Sequence, residues 1–136
     1  MRFLGLDVGS VRIGVAVCDP MGIFAQPLEV IDRRRCQALA RIAELVASYE
    51  AEAVVVGRPL RLNGADGPAV EALERFVAAL APKVSVPIHF QDERLTTAEA
   101  QRVMISDGVR RADRRERIDK VAAALILQSY LDAQRT

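Results

Sequence analysis

The sequence predicts an α/β fold with a central mixed five-stranded sheet, three antiparallel strands followed by parallel strands, and helices on both faces. Strand-length apolar runs fill residues 2–31, and apolar residues at helical spacing separate the later apolar runs. Strands that alternate with helices pair in parallel through right-handed crossovers. The 136 residues, 51% hydrophobic and 27% charged, are typical of one soluble domain, expected over 1–136.

The first three strands are predicted as an antiparallel unit. Residues 2–8 are apolar on both faces, which is typical of a central buried strand. Residues 13–18 follow after a short turn and can pair with the first strand as a hairpin. Residues 24–31 are expected at a sheet edge, because Pro27 has no N–H to donate.

The rest of the chain alternates between helices and strands. The predicted elements are, in order, a helix at 39–46, a strand at 53–56, a helix at 70–80, a strand at 84–90, a helix between the capping Thr96 and Gly108, a charged linker at 109–117 and a helix at 118–132. The linker holds five arginines and two acids with no apolar period, so it is expected to be mobile without substrate.

The composition excludes several classes of function. With two cysteines at no metal spacing and one histidine, His89, a zinc site is nearly excluded. The low aromatic content, 4% with no tryptophan, argues against a base-stacking platform for single strands. No apolar run approaches the ~20 residues that span a bilayer. The chain is therefore expected to be cytoplasmic, with no membrane partner.

Arginine dominates the positive charge, although the net charge is only +1. One cluster is Arg33–Arg35, and a second lies within 110–117. Arginine binds phosphate through paired hydrogen bonds, so both clusters are candidates for nucleic-acid contact, and solvated surface is the alternative. The second cluster supplies these candidate phosphate ligands: Arg110, Arg111, Arg114 and Arg115.

Two carboxylates stand out against apolar surroundings. Asp7 ends an apolar strand, where a buried charge is costly unless a cation or metal pairs with it. The alternative is an aspartate that starts a turn by binding the backbone of Gly9 or Ser10. Asp119 shares a helix face with an apolar stripe that continues through Ala123. Its alternative is a first-turn acid favoured by the helix dipole.

A third acid is expected from the end of the fifth strand, where Asp92 and Glu93 follow one another. Ligands of open α/β sheets gather beyond the carboxyl ends of the strands. Three carboxylates that converge there without histidine or cysteine favour Mg²⁺ or Mn²⁺. Two such ions about 4 Å apart are the standard device for phosphodiester hydrolysis.

Four stretches then identify a family. They are LGLDVGSVRIGVAVCD (4–19), VVVGRPLRLNGADG (54–67), DERLTTAEA (92–100) and IDKVAAALIL (118–127). In this order and spacing the chain resembles the YqgF (RuvX-type) family of ribonuclease H-like nucleases, described as Holliday-junction resolvases or pre-16S ribosomal RNA nucleases. The resemblance covers essentially the whole chain and implies a ribonuclease H-like fold and nuclease activity.

The resemblance also implies site residues. The family's catalytic and metal-binding acids carry over onto Asp7, Glu93 and Asp119, and its motifs place Arg12, Arg58 and Arg94 at the phosphate groove. In wider resolvase relatives the second acid lies on the strand beside the first strand. Here that strand ends without an acid, so Glu93 must reach in from one strand further out, about 9–10 Å at ~4.8 Å per strand.

Other interpretations stay open on the sequence alone. The hairpin around Asp7 is similar to the phosphate hairpin of sugar kinases and actin-like ATPases, but no second such hairpin follows. A non-catalytic nucleic-acid-binding module is another alternative. For a nuclease, the resemblance favours structured RNA, in 5′-end maturation of 16S precursor RNA, over branched DNA. The chain is expected to be a monomer or a homodimer, and a junction resolvase needs two sites for two cuts.

Overall fold

The computed structural model describes residues 2–58, 68–92 and 111–134, with Ala69 and residues 111–119 described by their backbone only. The elements in this part of the chain are β1 (Phe3–Val8), β2 (Arg12–Cys18), β3 (Ala25–Asp32), α1 (Ala38–Ser48), β4 (Ala53–Arg58), α2 (Pro68–Leu80), a 3₁₀ turn (Ala81–Lys83), β5 (Ile88–Asp92) and α3 (Arg111–Gln134). The helix predicted between Thr96 and Gly108 lies outside the described residues.

The five strands form one mixed sheet in the order β3-β2-β1-β4-β5. β1 pairs antiparallel with β2 and parallel with β4, and β5 continues the parallel side. The predicted mixed sheet and the central position of β1 are therefore confirmed. β3 is an edge strand as predicted, and its pairing with β2 shifts register beside Pro27.

Helices cover both faces of the sheet, which confirms the predicted layering. Alternate residues of β1 point to opposite faces. Leu4 and Leu6 pack in a core that includes Ile42 of α1 and Leu73 of α2. On the other face, α3 packs against β1, β2 and β4 in a second core with Val55.

α3 approaches the sheet most closely over Gly5. A Cβ atom built on Gly5 would lie 2.8 Å from Leu127 Cβ and 2.9 Å from the carbonyl oxygen of Ala123. Only a residue without a side chain fits between strand and helix at this spacing. Gly5 therefore fixes the distance of α3 from the central strand.

The prediction of an irregular linker is wrong for residues 111–117, which form the first turns of α3. The stretch has no apolar period, but a helix needs only backbone hydrogen bonds to continue. Arginine and glutamate have good helix propensity, and each residue added to an existing helix gains one backbone bond. The packed turns around Ala123 supply that existing helix.

The fifth strand begins later than predicted, at Ile88 and not at Val84. The Pro87 carbonyl accepts a hydrogen bond from the Val54 N–H, 2.9 Å, but Pro87 has no N–H of its own. Val84 and Val86 still pack against the core from outside the strand. The strand also ends later than predicted, at Asp92 and not at Phe90, so Glu93 comes directly after its last residue.

None of the helices within the described residues has both the length and the apolar character needed to cross a bilayer.

Candidate active site

One edge of the sheet collects the three predicted site residues whose side chains the structure describes. β1, β4 and β5 are parallel and all end at this edge, and β2 begins there. We call it the catalytic edge, after the role that the sequence predicts for its residues. It carries Asp7 near the end of β1, Arg12 at the start of β2, Arg58 at the end of β4 and Asp92 at the end of β5.

Asp7 lies on the α3 face, with glycines beside it on both neighbouring strands. It is two residues after Gly5, which faces α3, and is therefore on the same face. Its partner on β2 is Gly14, and the Leu6–Val56 pairing puts Gly57 beside it on β4. Cβ atoms of such pairs lie about 4.5–5.5 Å apart, so larger residues would crowd the carboxylate. Asp7 is half-buried, less enclosed than its apolar strand predicted.

Arg12 shares the face of Asp7. It lies two residues before Gly14 on β2, so it is a diagonal neighbour of Asp7, about 7–8 Å away on an ideal antiparallel pair. The Arg12 side chain is half-buried, and its strand partner on β3 is Asp32. A carboxylate and a guanidinium are thus placed together on the α3 side of the catalytic edge.

α3 runs antiparallel to β1 and passes over this position. The Tyr130 ring contacts the Phe3 ring edge-on, with centroids 5.9 Å apart, and Ala123 and Leu127 contact Gly5. The next residue of β1 on this face is Asp7. The four residues from Ala123 back to Asp119 span about 6 Å along the helix axis. The two residues from Gly5 to Asp7 span about 6.6 Å along the strand. The turn of α3 that contains Asp119 is therefore level with Asp7.

The turn between β1 and β2 is held by backbone and side-chain hydrogen bonds. The Gly9 N–H donates to the Arg12 carbonyl, 2.9 Å, and a Cβ on Gly9 would lie 2.7 Å from that oxygen. Arg33 donates its N–H to the Val11 carbonyl, 2.9 Å, and its Nη1 to the Gly9 carbonyl, 2.8 Å. These bonds tie the turn to β2 and to the segment that follows β3.

Arg58 is at the catalytic edge but on the opposite face. Its Nη2 lies 3.3 Å from Oε1 of Glu74 in α2, and its guanidinium lies 5.4 Å from the ring centroid of Phe90. Phe90 pairs with Val56 on the α1 and α2 face of the sheet. Arg12 is thus on the face of Asp7, whereas Arg58 borders the edge from the α2 side.

The other predicted site residues are described in part or not at all. Glu93, Arg94 and Arg110 lie outside the described residues. Asp119, Arg111, Arg114 and Arg115 belong to α3 and are described by their backbone only. Within the described side chains, no three acids, histidines or cysteines group as metal ligands. The predicted triad therefore stays a prediction, with Asp7 as its described member.

Sequence reasoning missed the glycines and the position of Arg33. An isolated glycine inside a strand signals close approach of another backbone or a ligand, so Gly5 and Gly14 carried a usable signal. The sequence makes Arg33 a candidate for phosphate contact as part of the Arg33–Arg35 cluster, with solvated surface as the alternative. In the structure it binds the β1–β2 turn, and the side chains of Arg34 and Arg35 pair with Asp32.

The fold is that of ribonuclease H-like junction resolvases. RuvC of Thermus thermophilus superposes with a TM-score of 0.58 at 19% identity, over 99% of this chain and 96% of that chain. The fowlpox virus Holliday junction resolvase superposes with a TM-score of 0.56 at 14% identity, over 98% and 99% of the two chains. These likenesses establish the architecture around the catalytic edge.

The sequence defines the family. The family model for RuvX, described as Holliday junction resolvase, matches residues 1–133. A Moorella thermoacetica protein named "Putative pre-16S rRNA nuclease" is 50% identical over 97% of this chain and 95% of its own length. A protein of the same name from Geobacillus kaustophilus is 47% identical over 99% and 100%. The chain belongs to the RuvX family and is a nuclease.

Proposed function

We propose that this chain is a divalent-metal-dependent nuclease, one ribonuclease H-like domain over 1–136, that hydrolyses phosphodiester bonds in 5′-end maturation of 16S precursor RNA. The observation that carries the proposal is the placement of Asp7 between Gly14 and Gly57, level with the α3 turn that contains Asp119. The RNA substrate is taken from the names of relatives about half identical in sequence.

The residues present fit hard cations. Asp7 offers carboxylate oxygens at a position that its glycine neighbours leave uncrowded, and oxygen ligands are those that Mg²⁺ and Mn²⁺ prefer. Asp7, Glu93 and Asp119 would hold two ions. When bound, the ions supply activation of the attacking water and stabilisation of the leaving oxygen.

The arginines then have a separate task. Arg12, on the face of Asp7, would hold a phosphate of the substrate beside the acids, because a guanidinium matches phosphate geometry. Arg58 would contact the strand from the α2 side of the edge, and Arg94 would follow Glu93 into the same groove. The arginines at the start of α3 would bind phosphates beside the turn of Asp119.

The test is cleavage of 16S precursor RNA and of a four-way DNA junction side by side. We expect precursor cleavage in Mg²⁺ or Mn²⁺, none in excess chelator, and poor replacement by Zn²⁺, which prefers nitrogen and sulfur ligands. Full activity in excess chelator would refute the metal-dependent mechanism. Binding without any cleavage would instead support a non-catalytic binding module.

The second candidate function is junction resolution, favoured by the description of the matching family model. Paired symmetric cuts in a four-way junction need two active sites, and therefore a dimer. Sedimentation of the free and junction-bound protein measures the oligomeric state. If a dimer cuts the junction symmetrically and leaves the precursor RNA intact, then branched DNA and not 16S precursor RNA is the substrate.

Replacing the arginine cluster of residues 110–115 should weaken substrate binding. The variant changes Arg110, Arg111, Arg114 and Arg115 to glutamine. Each lost phosphate contact lowers the log–log salt slope by about one, so the slope should flatten by up to about four. The melting temperature should change little, because the sequence predicts a charged stretch that packs no core, and such charges contribute little to stability. Filter binding across a salt series measures the slope, and an unaltered slope assigns these arginines to solvated surface.

A further inference from the structure

A basic cavity adjoins the catalytic edge from the side of α2. It has a volume of about 440 Å³ and lies between the segment that follows β3 and one face of α2. Arg33 and Cys36 line it from the first side, and Arg75 and Phe76 line it from α2. Among its described lining residues none is acidic, so its two guanidinium groups make it a positively charged concavity.

Arg33 is held in place at the wall of this cavity. Its Nη1 donates to the Gly9 carbonyl, 2.8 Å, and its guanidinium carbon lies 5.1 Å from the centroid of the Phe76 ring. These two contacts already restrict the rotamers of Arg33 in the free protein. Binding a ligand therefore costs less side-chain entropy than it would for an unrestrained arginine. The guanidinium has further N–H groups available beyond the one that Gly9 accepts.

Arg75 supplies the second cation, and within the described chain no ion pair neutralises it. It is exposed on α2, one residue before Phe76. Other arginines nearby are neutralised: Arg34 binds Asp32 at 3.1 Å, and Arg41 binds Glu29 at 2.7 Å. The Arg34 side-chain hydrogen bonds lower the pKa of Asp32 to about 2, so that pair stays charged at neutral pH.

We propose that this cavity is a phosphate-binding subsite for the nucleic acid strand, with Arg33 and Arg75 as its ligands. The cavity lies next to the catalytic edge, because its lining residue Arg33 also binds the carbonyls of Gly9 and Val11 in the turn that follows Asp7. A strand that crosses the β1–β2 turn would place a phosphate of its backbone between the two guanidinium groups. The inference deepens the proposed function, because it assigns where the substrate strand lies beyond the cleaved bond.

Arg75 gives the cleaner test, because it makes no contact with the β1–β2 turn among the described contacts. We expect Arg75→Gln to weaken binding of the 16S precursor by about 3–10-fold and to lower the salt slope by about one. Arg75→Lys should keep most of the affinity. The matched control is Arg34→Gln, which removes an arginine beside Arg33 that is paired with Asp32, and it should bind as wild type does.

Cys36 provides an independent footprint of the bound strand. It lines the cavity and is exposed, whereas Cys18, the other cysteine of the chain, is buried. Bound precursor RNA should slow the reaction of Cys36 with a thiol reagent several-fold, measured by mass spectrometry. Arg75→Gln should reduce this protection at a fixed RNA concentration. The Asp7→Asn variant should show full protection.

The outcomes separate the subsite from the catalytic proposal, because binding and protection are measured in chelator, without cleavage. Normal affinity and salt slope in Arg75→Gln, or Cys36 reactivity that RNA does not change, would overturn the subsite and leave metal-dependent cleavage standing. Weakened binding and lost protection in a protein that does not cleave would support the subsite alone. No binding of RNA or junction by the wild-type protein would also overturn it.

Discussion

Asp7→Asn is expected to lower the rate of cleavage by more than about 100-fold. Even residues that only orient metal ligands cost about 10–100-fold when they are replaced, and Asp7 is proposed as a ligand itself. Asparagine keeps the size of the side chain and loses its charge. Affinity for the substrate should fall little, because arginine contacts supply most of it. Single-turnover cleavage and filter binding measure the two effects separately.

The fold of this variant should be unaffected. Asp7 is half-buried, asparagine keeps its size, and hydrogen bonds of Gly9, Arg12 and Arg33 also hold the β1–β2 turn. The melting temperature in metal-free buffer should therefore hold or rise, since a partly buried charge is removed. The matched control is Asp132→Asn, an exposed aspartate in the last turns of α3. Wild-type cleavage by Asp7→Asn would return Asp7 to the role of a turn-forming residue.

The architecture could be predicted from the sequence because apolar patterning determines it. A run that is apolar on both faces has to be covered on both sides, which identified β1 as the central strand. Pro27 indicated that β3 is an edge strand, because proline has no N–H to donate to a second neighbouring strand. These properties belong to single residues and their immediate neighbours, so no knowledge of tertiary contacts was needed.

The first turns of α3 escaped prediction because patterning reports packing and not helix formation. Residues 111–117 show no apolar stripe, but they continue a helix whose later turns are packed on the sheet. Good intrinsic propensity and one backbone bond per added residue are enough to extend it. A charged stretch of helix and a charged linker look alike when only apolar spacing is considered.

The surroundings of the candidate site depended on tertiary contacts. The sequence indicated Asp7, but only the strand register shows that Gly14 and Gly57 are its neighbours. Arg33 was grouped with Arg34 as one cluster because they are adjacent in sequence. Their partners differ, since one side chain binds the β1–β2 turn and the other binds Asp32. Asp32 is only two residues from Arg34, whereas the Gly9 carbonyl that Arg33 binds is 24 residues away and becomes its neighbour only in the folded chain.

Gly5→Ala should be among the most harmful small substitutions in the chain. The new Cβ would lie 2.8 Å from Leu127 Cβ and 2.9 Å from a backbone oxygen of Ala123, so α3 has to move away from β1. Overpacking of this kind lowers the free energy of unfolding by about 1–3 kcal/mol. Because the same helix carries Asp119 past Asp7, the shift should also lower cleavage. A displacement of about 1 Å can cost about 100-fold in rate.

A matched control separates the effect of moving α3 on the cleavage rate from the effect of lower stability. Val55 is the partner of Gly5 on β4, is fully buried and packs in the same core under α3. Val55→Ala removes packing without pushing the helix, and truncations in a core cost about 1–3 kcal/mol. Urea unfolding gives the stability of both variants, and single-turnover cleavage at a temperature where both are folded gives their activity. We expect similar stabilities, with a rate loss of about 10–100-fold for Gly5→Ala and near-normal cleavage for Val55→Ala. Equal rates in the two variants would mean that the spacing of α3 from the central strand does not control the proposed catalytic acids.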